Sequence, residues 1–187
     1  MKLTRRSGLA DVALCVGKAL ETAGIRAVLT GGACASLYSR GRYESSDLDF
    51  VVQNEVPSKR LDAAMEDAGF LRKGGHYEHP LVGFFVEFFP GPLAVGEDAQ
   101  VRPAVYRIRT GRIMALSPTD SCRDRLAAFF HWNDRHGLRA AVAIAHRQAV
   151  DLKVMRAWSI REGALQKFEQ FVAELKRMGP GKKTRRR

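Results

Sequence analysis

The chain has 187 residues and 45% hydrophobic content, enough for one good core with a helical extension rather than several independent domains. Its 31 Lys+Arg against 20 Asp+Glu give a formal net charge of +11, which argues for a polyanionic partner without naming a reaction. No apolar stretch reaches the roughly 18 to 20 residues a bilayer span needs, and Asp11, Gly17 and Lys18 interrupt any signal-peptide core, so the expectation is a cytoplasmic protein with no membrane partner.

Leu9, Val12, Ala13, Val16 and Leu20 recur at helical spacing and predict a helix over residues 8–23. A short apolar strand, Ala27 to Thr30, leads into the pair Gly31-Gly32 and then a segment from Ala33 that reads as a short helix. Glycines let the backbone approach an anion, and a helix N-terminus offers it unpaired N–H groups. Gly31 and Gly32 are therefore candidate phosphate-binding positions. The run Asp47-Leu48-Asp49-Phe50-Val51-Val52 reads as the next strand, and its alternation sends Asp47 and Asp49 to one face and Leu48 to the other. Two bare carboxylates on one face repel each other and resist desolvation, so cations or strong donors must neutralise them. Magnesium suits oxygen ligands and accepts one or two carboxylates together with substrate phosphates. The plainer alternative is a strand-end turn capped by Ser45 and Ser46.

Pro57 opens a helix running to about Ala68, with Leu61, Ala64 and Met65 inward and Gly69 closing it. Gly74 to Pro80 reads as a turn, which makes His76 and His79 loop residues. Leu81 to Phe89 reads as a strand carrying Glu87 inside an apolar run. A buried ionised glutamate needs a partner, and a metal site shared with Asp47 and Asp49, an arginine or a solvent face would each supply a reason for it. Ala104–Arg109 and Ile113–Leu116 flank Thr110-Gly111-Arg112 as a hairpin.

From Ser117 the pattern is helical only. Ser117-Pro118-Thr119-Asp120 combines a cap, a proline at the first helical position and an acid in the first turn, with Leu126, Phe129 and Phe130 as the buried stripe. Further helices are predicted over residues 137–148, 149–161 and 164–177, the last with Leu165, Phe168, Phe171, Val172 and Leu175 on one face. The fold class is α+β: a mixed β-sheet core with helices over residues 1–116, a C-terminal helical bundle over 117–178, and a basic tail over 179–187 that reads as disordered.

Residues 1–90 contain 11 basic and 11 acidic residues, so residues 91–187 carry the whole excess. Arg102, Arg107, Arg109 and Arg112 surround the hairpin, and Arg123, Arg125, Arg135, Arg139 and Arg147 fall on the helices. They suit either a solvated surface or the binding of a triphosphate and an RNA acceptor. Cys15, Cys34 and Cys122 are scattered among apolar residues and read as buried free thiols. His131, Trp132, His136 and His146 read as packing or surface residues. No Walker-type loop and no Ser-His-Asp or Cys-His arrangement is present, which argues against a P-loop ATPase and against nucleophilic hydrolase chemistry.

A strand, a glycine turn, a short helix and Asp-hydrophobic-Asp on a second strand resemble the DNA polymerase beta-like nucleotidyltransferase superfamily, and most nearly the small bacterial minimal nucleotidyltransferases and AbiEii-type toxins. The likeness covers roughly residues 26–90, with fourteen residues between Gly32 and Asp47, and with Gly32 where many members carry a phosphate-binding serine. The resemblance implies a metal-dependent enzyme moving a nucleoside monophosphate from an NTP to an acceptor hydroxyl on RNA or protein, with release of pyrophosphate. It implies two magnesium ions on Asp47, Asp49 and Glu87, and phosphate binding at Gly31 and Gly32, helped by Ser46 or an arginine such as Arg125. In AbiEii-type toxins residues on later helices help hold the nucleotide, and Arg125, Asp134 and Asp151 fall where such roles could lie. Asp124-Arg125 and Asp134-Arg135 also suit helix-surface ion pairs. The alternative function is a catalytically inactive nucleotide- or RNA-binding module of the same fold, acting as a regulator.

Overall fold

The computed structural model describes residues 2–108 and 110–179. Pro180 to Arg187, most of the basic tail, and Arg109 lie outside the described residues. α1 (Leu9–Thr22) presents Val12, Ala13, Val16 and Leu20 to the core, and its start is capped by the Gly8 N–H donating to Asp11 Oδ2 at 3.0 Å. β1 (Ala27–Leu29) runs into α2 (Gly31–Ser39), so the helix begins on the glycines themselves rather than after them. β2 (Asp47–Val52) has the predicted bounds. α3 (Ser58–Asp67) follows Pro57.

The glycine-rich segment predicted as a turn is instead a hairpin of β3 (Leu71–Lys73) and β4 (His76–Glu78) around Gly74-Gly75. His76 is therefore a strand residue, its Nε2 2.9 Å from Glu78 Oε1. β5 (Phe85–Pro90) starts later than the apolar run suggests. β6 (Ala104–Ile108) and β7 (Gly111–Ala115) form the second hairpin, with Gly111 and Arg112 already in the strand rather than the turn.

The seven strands form one mixed sheet in the order β3-β4-β5-β2-β1-β7-β6. β2 lies parallel to β5 and antiparallel to β1, while β1 lies parallel to β7. Leu48, Phe50 and Val86 are wholly or almost wholly buried on one face of the central strands. Because neighbours in register share a face, Asp47, Asp49, Phe85, Glu87 and Phe89 share the other.

Four helices follow: α4 (Pro118–Trp132), α5 (Arg135–Arg147), α6 (Leu152–Arg161) and α7 (Leu165–Arg177). α4 starts as predicted, with Ser117 Oγ accepting from the Asp120 N–H at 3.1 Å. α5 and α6 begin at Arg135 and Leu152 because Asp134 and Asp151 cap them through two backbone N–H groups each. α4 and α5 pack on α2, so one hydrophobic cluster runs from Val12 and Phe50 through Leu126 and Phe129 to Trp158 and Phe171. Truncating a buried aromatic such as Phe129 or Trp158 to alanine costs about 3 to 5 kcal/mol. The three cysteines are buried, with none in a disulfide among the described residues, and burial pushes the Cys34 thiol up to about 12. No helix among the described residues is long and apolar enough to cross a membrane.

Candidate active site

Three of the sequence-predicted acids share one open face of the sheet. Asp47 and Asp49 lie two residues apart on β2, and Glu87 on β5 is the register partner of Asp49, one strand spacing of about 4.8 Å away. All three are half-buried.

Gly31 sits against this face. Its φ is 62°, a left-handed conformation that glycine adopts without penalty, and a Cβ placed on it would overlap Asp49 Oδ2 and lie 2.9 Å from Asp49 Cγ. A Cβ on Gly32 would overlap Ser45 Oγ. The N–H and the hydroxyl of Thr30 both donate to the Asp49 carbonyl, at 2.9 and 3.3 Å. The turn from β1 into α2 is thus locked to β2 at the level of the carboxylates. The N-terminus of α2 has no side-chain cap, so its N–H groups remain open to an anionic ligand.

Ser46 is exposed, and its carbonyl accepts from the Phe85 N–H at 3.2 Å. Ser45 is the serine at the turn: its hydroxyl donates a short hydrogen bond to Asp47 Oδ1 and stands over Gly32. The strand pattern carried this signal, because residues 45, 47 and 49 share one parity.

α4 completes the site. A cleft of about 250 Å³ is lined by Thr30, Gly31, Asp49, Phe89, Asp124 and Arg125. Arg125 grips Asp124 through Nε at 2.9 Å and Nη2 at 2.8 Å. This pair is a wall of the cleft rather than an outer-surface pair, and Asp124 is the site residue that sequence reasoning missed. Asp134 and Asp151 do not join it; their carboxylates are engaged as helix caps.

Negative charge dominates the cleft. Asp49 is pushed up to about 6, first by burial and then by Asp47, Glu87 and Asp124, against the pull of Arg125. Burial opposes the charge on Arg125, but Asp124 with its hydrogen bond, then Tyr43 and Asp49, leave its pKa above the ordinary value. Hard carboxylate oxygens in excess over one guanidinium are the donor set of a divalent cation such as magnesium. Among the described residues no three of His, Cys, Asp and Glu converge as a ready metal cage. Like charges on neighbouring strands stay apart until a cation draws them together.

The remaining arginines divide by environment. Arg123 is buried between Asp98 and Asp120, at 2.8 Å from the latter, with its guanidinium 5.1 Å from the centroid of the Trp158 ring. Arg112 pairs with Glu21 and Arg135 with Glu174. Those three are structural or surface pairs. Arg102, Arg107 and Arg139 are exposed.

No protein-family model matches the chain, and no curated protein matches it. Among solved structures, the chain is similar to an antigenic nucleotidyltransferase-like protein from Paracoccidioides brasiliensis, with a TM-score of 0.55 and 17% sequence identity over 92% of this chain and 88% of that one. The likeness is one of fold: the chain has a nucleotidyltransferase-like α+β architecture, a mixed sheet followed by C-terminal helices.

Proposed function

We propose that the protein is a metal-dependent nucleotidyltransferase that moves a nucleoside monophosphate from an NTP to an acceptor hydroxyl. The observation that carries this reading is the contact of the Asp49 carboxylate with Gly31, which joins an acid cluster to the open N-terminus of a helix. A phosphate at that terminus lies directly beside the acids. Asp47, Asp49 and Glu87 would hold two magnesium ions, which when bound neutralise phosphate charge and acidify the acceptor hydroxyl. Gly31 and Gly32 bind the β- and γ-phosphates through backbone N–H groups. Arg125, oriented by Asp124, adds a guanidinium at the phosphate end, where its fork matches phosphate oxygens. Glu87 takes the acceptor proton as the acceptor oxygen attacks the α-phosphorus, and the bond to the β-phosphate oxygen breaks to release pyrophosphate. The hydroxyl over Gly32 is that of Ser45 on the neighbouring turn, which would become available to a phosphate once Asp47 turns to a metal ion.

Gly32, standing where many members of the superfamily carry a serine, favours a second reading, a nucleotide-binding module without catalysis. ATP titration followed by calorimetry and by melting temperature, with magnesium and with EDTA, separates the two. The transferase reading expects ATP binding to strengthen at least about tenfold with magnesium, and expects Asp49→Asn to abolish that gain. Equal ATP affinity in EDTA and in magnesium favours the module.

A further inference from the structure

A second charged surface lies away from the carboxylates. Between the loop that joins α2 to β2, the middle of α5 and the end of α7 is a cleft of about 500 Å³, walled by Arg42, Arg139, Arg177, Glu174, Val142 and Met178. The three arginines are exposed. None of them forms an ion pair with a carboxylate among the described residues. Glu174, the acid on this wall, is turned to Arg135 at 4.0 Å.

Imidazoles hold two of these guanidiniums without neutralising them. Arg42 Nη1 donates to His146 Nδ1 at 3.4 Å, and Arg139 Nη2 donates to His136 Nδ1 at 3.2 Å. Arg147, on the same stretch of α5, buries an Nε–H that has no partner. Arg72, Arg112, Arg123 and Arg125 are each matched to an acid, whereas Arg42, Arg139 and Arg177 converge on one cleft with no carboxylate paired to any of them among the described residues. Beyond Met178 the sequence adds Lys182, Lys183, Arg185, Arg186 and Arg187 and no acid.

We propose that this groove binds the phosphodiester backbone of a single nucleic-acid strand. Guanidinium forks match phosphate oxygens in pairs. Val142 and Ala143 add an apolar part to the lining that suits the faces of sugar and base. The cleft is too small to seat a duplex. Its position is also suited to the carboxylate site: α2 has its glycine end at Asp49 and its other end leading to Arg42, and nine helical residues span about 13 Å. A strand held here reaches the acids within a few nucleotides. Casting that strand as the acceptor rests on the transferase reading, whereas its binding does not.

The test reads binding alone, on the full chain, without NTP or metal. The probe is a fluorescein-labelled single-stranded RNA of about twelve nucleotides, within the usual range of single-strand site sizes, with DNA of the same sequence alongside. Arg42→Gln/Arg139→Gln/Arg177→Gln is compared with Lys18→Gln/Lys59→Gln/Arg102→Gln, which removes equal charge from exposed positions elsewhere. The groove variant is expected to lose at least about tenfold in affinity for both strands and to lower the salt slope by about 2, the value for three phosphate contacts at roughly 0.7 each, with the control near wild type and ATP binding unchanged. Unchanged affinity for both strands, or an equal loss in the control, overturns the proposal. So does a loss confined to fluorescein-labelled polyglutamate, run as a third probe, which would assign the groove to an acidic protein. Loss of ATP binding in Asp49→Asn with strand binding intact leaves the groove standing, so the two readings fail separately.

Discussion

The carboxylate of Asp49 fills the space a side chain at Gly31 would need: a Cβ there would overlap Oδ2, and the backbone already stands at φ 62°. Gly31→Ala therefore meets both a left-handed penalty of about 1 to 2 kcal/mol and the displacement of an acid. We expect a total loss of about 2 kcal/mol or more in urea unfolding, with ATP binding lost even where folding is rescued by osmolyte. A loss under about 0.5 kcal/mol would contradict the close contact.

Asp49 sets a pH dependence of known sign. Its folded value, about 6, lies above the unfolded 3.8, so the fold disfavours the ionised form. That cost is present above about pH 6 and disappears as pH falls through 6 toward 4. Discounted for partial exposure, it amounts to about 1 kcal/mol at neutral pH. In EDTA, Asp49→Asn is expected to be about 1 kcal/mol more stable than wild type at neutral pH and to lose that advantage near pH 4. A less stable variant at neutral pH would overturn the assignment of strain from burial and neighbouring acids to the Asp49 carboxylate.

Arg123 and Asp98 form a buried tie between α4 and the segment after β5, with side chains 5% and 21% exposed. Asp98→Ala strips a buried guanidinium of one partner and should cost about 2 to 3 kcal/mol. The double variant Asp98→Ala/Arg123→Met should lose less than the two single changes added together. Strict additivity in calorimetric melting would show that the pair does not couple.

Arg125→Lys keeps the charge beside Asp49 but not the fork that grips Asp124. The expected result is a roughly tenfold weaker ATP affinity with little change in melting temperature. Full affinity in a folded Arg125→Lys protein would remove Arg125 from the phosphate site.

The β2 strand was legible because Leu48 and Phe50 alternate with two acids, and α4 because Ser117, Pro118 and Asp120 together mark a helix start. Glu87 was expected beside Asp49 from its place in an apolar run and from the family resemblance, but the register was not legible: parallel pairing of β2 with β5 is a long-range choice that no local pattern encodes. The β3–β4 hairpin escaped because Leu71-Arg72-Lys73 and His76-Tyr77-Glu78 are short and mostly polar, so the Gly74-Gly75 pair reads only as a turn. Arg125 was carried to the phosphates by the resemblance, but Asp124 read only as its helix-surface partner, because a sequence does not say which flank of a helix faces a cleft. Ser45 was readable from strand parity, since it shares a face with Asp47 and Asp49.

The most direct test of nucleotidyl transfer is incubation of the protein with magnesium and each α-labelled NTP, with and without total RNA, beside a folded Asp47→Asn/Asp49→Asn control. Label is expected on RNA or on protein, dependent on magnesium and absent with the control. Undiminished labelling by the folded double variant would contradict that expectation.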